Sequence, residues 1–238
     1  MKLRSGIIIA VFFLAACTTQ QINQTMGVLN DAMSDDELTS ADVANGLKQA
    51  LEQGISEGAD LASATDGYFK NQAIKILFPP EAQKVEQKLR QLGMNSLVDK
   101  FMLTMNRAAE KAADEAKPIF VSAIRQMTIQ DAWGILRGSE HAATEYLKAK
   151  TTDQLRSRYQ PIISNALETV DATKYYDDIV TTYNRIPMVE KVNPDLDAYV
   201  TDRAIDGLFL LIAKEEEKIR KDPVARTTEL MKKVFAQQ

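Results

Sequence analysis

Residues 204–213 read Ala204-Ile205-Asp206-Gly207-Leu208-Phe209-Leu210-Leu211-Ile212-Ala213, with Asp206 as the only charge. A helix that is apolar nearly all round is ordinarily central and buried. Ten residues fall well short of the ~20 needed to cross a bilayer, so the stretch reads as the hub of a helical core and not as a membrane span.

Helix signals continue outward from this hub in both directions. Thr39 with Asp42, Thr128 with Asp131 and Thr151 with Gln154 have capping-box spacing, in which two side chains satisfy backbone groups otherwise orphaned at a helix start. Pro80, Pro194 and Pro223 stand where a first helical residue would, with Asn193 and Asp222 as caps ahead of the last two. The spacing predicts helices near 41–63, 81–92, 96–116, 118–126, 129–137, 140–149, 152–169, 172–185, 195–220 and 223–235. Connections this short place sequential helices side by side, in a single bundle-like all-α domain. Two places break the pattern. Ile74, Ile76 and Phe78 alternate before Pro79-Pro80, and Pro187-Met188-Val189 is non-helical, so one or two very short strands are expected there.

Composition agrees with helices and excludes several function classes. The 238 residues are 45% hydrophobic and 26% charged, enough to bury a core and too apolar for a disordered chain. Gly and Pro together are 17 residues, about 7% of the chain against the usual ~12%, which disfavours turn-rich β architectures. With 29 basic and 33 acidic residues the net charge is −4, so no basic surface is expected for a nucleic acid. One His and one Cys cannot supply the usual zinc ligand sets, and neither a metal nor another cofactor is expected. Asp35-Asp36-Glu37 lacks the spacing of a calcium loop and reads as a solvated turn.

The N-terminus carries the most specific signal. Lys2 and Arg4 precede the apolar run Gly6 to Leu14, which is a secretion signal in form. Leu14-Ala15-Ala16-Cys17 resembles the lipobox of bacterial lipoproteins, which implies cleavage before Cys17 and acylation of that residue. The expected organisation is a signal peptide at 1–16, a lipidated N-terminus and tether at 17–38, and an all-helical domain at 39–238. Ile22, Met26, Leu29 and Met33 within the tether have helical spacing, as for a small docking helix. Thr18 replaces the Asp typical of inner-membrane retention, so the expected location is the outer membrane, facing the periplasm. Removal of 1–16 leaves 27 basic and 33 acidic residues, a net −6, so membrane attachment is expected through the lipid and not through average charge.

A family resemblance covers most of the chain beyond residue 40. Gly46-Leu47-Lys48-Gln49-Ala50-Leu51, Ala73-Ile74-Lys75-Ile76, Met105-Asn106-Arg107-Ala108-Ala109-Glu110, Lys117-Pro118-Ile119-Phe120, Lys174-Tyr175-Tyr176, Val192-Asn193-Pro194-Asp195-Leu196, Asp206-Gly207-Leu208-Phe209 and Ala225-Arg226-Thr227-Thr228 occur in that order. Together they resemble the bacterial family of unknown function numbered 4197. The resemblance implies an α-helical secreted or lipid-anchored protein without an established activity, so it assigns no functional residue.

The residues themselves offer little catalytic chemistry. Gly54-Ile55-Ser56-Glu57-Gly58 matches a nucleophile elbow, but that motif needs a strand before the Ser, and Leu47, Leu51, Ile55 and Ala59 mark a helix. His141 follows Ser139 by two residues, which turns the side chains apart on a helix, and it reads as a surface residue. Trp133 is expected in the core, and Tyr175 or Tyr176 to point inward beside Asp177 and Asp178. In the helix near 96–116, Leu97, Phe101, Met105, Ala108 and Ala112 share one face, with Arg107, Glu110, Lys111 and Asp114 opposite on the wet side.

Charge inside the apolar hub marks the candidate site. Arg203 and Asp206 lie three residues apart on one helix side, and a buried ion pair there is costly to desolvate. Either it is structural, completed by Arg226 or Glu110, or it anchors a ligand in a pocket walled by Tyr199 and Leu208. The candidate ligand or buried polar site therefore comprises Tyr199, Arg203, Asp206, Arg107, Glu110 and Arg226. A noncatalytic envelope role is expected, binding a small apolar ligand or an envelope protein, with the membrane contacted through the lipid at Cys17. The alternative is an enzyme with a polar site in the helical core. Oligomeric state is left open.

Overall fold

The computed structural model of the chain describes residues 38–236 apart from 170, 186, 189, 190 and 192–194. The expected signal peptide, Cys17 and the helix expected over 22–33 lie outside the described residues, as do Asn193 and Pro194. The helices are α1 (Ser40–Ser63), α2 (Gln83–Gln91), α3 (Asn95–Ala113), α4 (Ala116–Arg125), α5 (Ile129–Leu136), α6 (Ala142–Glu168), α7 (Ala172–Asn184), α8 (Leu196–Lys221) and α9 (Glu229–Phe235). Short 3-10 turns at Pro80–Ala82 and Pro223–Ala225 lead into α2 and α9. Among the described residues there is no strand, so the fold is all-α, as the periodicity predicts.

Four long helices make the core. α8 packs along α1 on one side and α6 on the other, while α3 packs against α6 and also reaches α1 and α8. The apolar hub residues Ala204, Ile205, Leu208, Phe209, Leu211 and Ile212 are all buried, with Leu208 wholly so. The hub is not dry all round, however. Asp202, Arg203 and Leu210 are exposed and Asp206 is half-exposed, forming a narrow wet stripe at helical spacing. Gly207 lies on the buried side, where a Cβ would come within 2.8 Å of the Tyr68 ring and 3.1 Å of Ile74. Only hydrogen at that position lets the α1–α2 connection lie against α8.

Several boundaries differ from the sequence reading, each for a local reason. Helices expected at 140–149 and 152–169 are one continuous α6, because Thr151 is buried and its hydroxyl donates to the Leu147 carbonyl at 2.7 Å instead of capping a new start. The Thr128–Asp131 capping box is formed, with the Asp131 N–H donating to Thr128 Oγ1 at 3.1 Å and the Thr128 N–H donating to Asp131 Oδ2 at 2.9 Å. Asp195 caps α8, accepting from the Ala198 N–H at 2.9 Å. The helix expected over 223–235 is split, since Arg226 adopts an extended backbone and Thr228 starts α9. Trp133 is half-buried and not in the core. Ala132, Ile135 and Leu136 take the inward face of α5, and the Arg137 guanidinium covers the indole 4.3 Å from its centre.

The segment expected to be a strand leaves a turn at 72–74 and runs to Pro79 without regular structure, and it has no partner strand among the described residues. Ile74, Ile76 and Phe78 are buried while Leu77 is 50% exposed, so the period-2 pattern is real. The carboxamide of Asn106, on α3, replaces a neighbouring strand. It accepts from the Ile76 N–H at 2.8 Å and donates to the Ile76 carbonyl at 2.8 Å. A side-chain amide carries the same donor and acceptor as a peptide group, so one residue satisfies the buried backbone. Pro187 and Met188 form a turn.

Candidate functional site

An apolar cavity lies at one edge of the bundle, where α2, α3 and α7 meet the end of the 74–78 segment. Its volume is about 430 Å³, within the ordinary range for small-ligand sites. Each helix lines it with residues four apart: Val85 and Leu89 from α2, Leu97 and Phe101 from α3, Ala172 and Tyr176 from α7. Phe78 closes the floor against Phe101, ring centres 4.7 Å apart. Among the described residues of the lining, Lys100 is the only charged one.

Turn chemistry builds this site. Gly93, with φ of +82°, ends α2 in a left-handed conformation, its N–H donating to the Arg90 carbonyl and the Met94 N–H donating to the Leu89 carbonyl, both at 3.0 Å. This pair of bonds satisfies the last carbonyls of α2 and reverses the chain into α3. Arg90 then ties the two helices, bonding Glu86 on α2 and Asp99 on α3 at 3.0 Å each. No residue of α2 is buried, so the helix covers the cavity without belonging to the core.

The six candidate polar residues are not brought together at one place. Arg203 and Asp206 do pair, but at the surface, with side chains 49% and 45% exposed, and Lys148 approaches Asp206 at 3.7 Å. Arg226 lies at the far end of α8, where its guanidinium donates to the Ile219 and Arg220 carbonyls at 3.0 and 2.8 Å and so caps that helix. Arg107, Glu110 and Tyr199 all hold the α1–α2 connection. Glu110 is buried, against the expectation of a wet side. One of its oxygens accepts from the Tyr68 and Phe69 N–H groups at 3.1 Å, and the other pairs with Arg107. Arg107 continues to Asp66 at 2.6 Å, while the Tyr199 hydroxyl donates to the Leu77 carbonyl at 3.2 Å.

Buried ionic chemistry on α8 occurs elsewhere. Glu216 accepts from the Ala143 and Thr144 N–H groups at 3.0 and 2.8 Å, capping α6. Arg220, bonded to Glu216 at 2.9 Å, donates to the Ile135 carbonyl at 2.9 Å and so caps the end of α5. Their side chains are 7% and 9% exposed. The sequence reading missed this pair because Glu215-Glu216-Glu217-Lys218 looks like a solvated charge run; the i, i+4 spacing of Glu216 and Arg220 is the only local sign.

Glu110, Glu216, Arg220 and Arg226 are committed to backbone. Hydrogen bonds from Lys70 and then Arg107 hold Asp66 below the ordinary carboxylate range, and burial pushes the phenol of Tyr68 well up. The Tyr68 hydroxyl donates to the Ala204 carbonyl at 2.6 Å. Ser56 of the elbow-like motif lies in the middle of α1 and bonds weakly to Asp60 at 3.4 Å, while Gly54 and Gly58 face Ile219 and Ile212 of α8. His141 is exposed at the start of α6. Among the described residues no group of three His, Cys, Asp or Glu is placed to hold a metal, and no helix is long and apolar enough to cross a membrane.

The cavity was partly legible. Leu97 and Phe101 belong to the apolar face read from the sequence, but that face changes role along α3: Met105, Ala108 and Ala112 are buried, Phe101 is half-buried and Leu97 is 49% exposed. The sign of its other wall in the sequence is Val85 with Leu89, a short apolar stripe in an otherwise polar helix.

Neither a curated protein nor a solved structure matches the chain. The model of a family described as protein of unknown function, DUF4197, matches residues 37–236, and a match over 200 of the 238 residues makes the chain a member of that family.

Proposed function

We propose that this protein is a bacterial envelope lipoprotein, anchored through Cys17 on the periplasmic face of the outer membrane, whose helical domain binds a small apolar ligand without catalysis. The binding reading is carried by the 430 Å³ cavity between α2, α3 and α7, whose described lining is apolar apart from Lys100 and Tyr176. Such a lining suits a ligand with an aliphatic body and an acidic head. Catalysis would need convergent titratable groups free to act, and the ionic groups of the core are instead spent on helix ends and on the α1–α2 connection. The anchor reading is supported by the apolar run ending at the only Cys of the chain.

Dodecanoate binding to the Cys17→Ser chain, followed by calorimetry, tests the site. Ala172→Trp fills the cavity and should weaken binding at least about tenfold, the equivalent of ~1.4 kcal/mol. Lys100→Glu should weaken dodecanoate more than dodecanol. Saturable binding that is indifferent to Ala172→Trp would place the ligand elsewhere and overturn the reading. For the anchor, radiolabelled palmitate should mark the wild type and not Cys17→Ser, and co-sedimentation with inner-membrane markers would overturn the outer-membrane assignment.

A further inference from the structure

Large apolar side chains exposed to solvent are concentrated at one place on this surface. Of the nine among the described residues, Leu92, Met94 and Leu97 fall within six positions at the α2–α3 turn, at 65%, 41% and 49% exposure. Met94 and Leu97 also line the cavity, so its mouth opens at this tip. Around the tip the charge is opposite in sign to that of the chain as a whole. Residues 83–101 hold Lys84, Lys88, Arg90 and Lys100 against Glu86 and Asp99, whereas the whole chain is −4. Arg90 engages both acids, while Lys84, Lys88 and Lys100 are exposed and have no ion-pair partner among the described residues.

We propose that the tip of the α2–α3 hairpin is a lipid-docking surface, inserting Leu92, Met94 and Leu97 into the interfacial layer of an anionic bilayer while the three lysines meet its headgroups. Aliphatic residues rimmed by lysine are the composition of interfacial membrane segments. Protein interfaces instead favour aromatic and Arg anchors and are depleted in Lys. The exposure agrees as well: residues 91–97 are exposed without a break, and an exposed turn enters a fluid layer without needing a matching groove. Net charge hides this feature because it averages a basic edge with an acidic remainder. Docking would set the cavity mouth against acyl chains, so an apolar ligand would pass between bilayer and cavity without crossing water. That last step rests on the binding function proposed above; the docking itself does not.

The test uses the full chain with Cys17→Ser and one new cysteine, either Leu92→Cys at the tip or Asp153→Cys on the exposed face of α6, labelled with nitrobenzoxadiazole. Vesicles of phosphatidylethanolamine containing phosphatidylglycerol should shift emission at position 92 to the blue and expose it to quenching by acyl-chain spin labels. Position 153 should stay in water in the same vesicles, which separates tip insertion from any tethering by the apolar N-terminus. Replacing Lys84, Lys88 and Lys100 by Gln, or raising salt to about 1 M, should reduce quenching at 92 severalfold. An aqueous spectrum at 92 with vesicles present overturns the proposal. So does a blue shift that needs no vesicles and grows with protein concentration, since a second copy would then cover the tip. Dodecanoate binding on the same samples separates the two readings: binding with an aqueous tip removes docking alone, and an inserted tip without binding removes the cavity reading alone.

Discussion

Glu216 and Arg220 show how one pair of residues can fix three helices. Each charge is shielded by the other and by the backbone groups at the ends of α5 and α6, so the cost of desolvation is met by hydrogen bonds on both sides. Removing one partner leaves the other charged and buried. Glu216→Ala should therefore destabilise by about 3–5 kcal/mol, measured by urea denaturation. Arg203→Met, at an exposed pair, should change stability by under about 1 kcal/mol. Equal effects would refute the distinction drawn between the two pairs. The sequence pointed to the wrong pair for a physical reason. Arg203 and Asp206 stand out against apolar neighbours along the chain, but burial is decided by neighbours in space, and a wet stripe one residue wide is enough to solvate them.

Between residue and fold stands the irregular segment 74–78, held by Asn106. Its alternation was legible because burial of every second side chain leaves a period of two whatever pairs with the backbone. Its partner was not, since an Asn within a helical stretch ordinarily faces solvent. Asn106→Ala should leave the buried N–H and carbonyl of Ile76 unmet and cost about 1–3 kcal/mol. Hydrogen exchange makes the assignment specific: the Ile76 amide should lose protection in the variant while the amides of α8 keep theirs. Retained protection at Ile76 would show that Asn106 is not its acceptor. The same scale explains the merged α6. A Thr hydroxyl has two local uses, capping a start or bonding back to the preceding turn, and only packing chooses between them.

Across the whole molecule, acid should find the fold by way of its carboxylates. Asp66 lies below its ordinary value because of hydrogen bonds from Lys70 and then Arg107, and Asp131 because of the Thr128 N–H and then the Thr128 hydroxyl. A depressed folded value gives stability that is present above the unfolded value, about 3.9 for Asp, and is lost as pH falls through the folded one. Burial, then a hydrogen bond with Glu57, pushes Glu215 the other way, so its contribution is full at low pH and lost as pH rises. The thermal midpoint should therefore drop once pH falls below about 4, and less steeply in Asp66→Asn/Asp131→Asn, which should start lower at neutral pH. A double variant with the wild-type acid profile would refute this account.

The pairing of α1 with α8 and α9 also dictates the order of assembly. Gln53 bonds to the Ala225 carbonyl across 172 positions, Thr228 to Gln49 across 179, and the apolar face of α1 finds its main partner only in α8. A ribosome delivers residues 40–63 long before residues 196–235, so α1 must wait for α8 and α9 before its core can close. Contacts this distant in sequence slow folding. Until its final fifth has been synthesised, α1 lacks the helix that covers most of its apolar face.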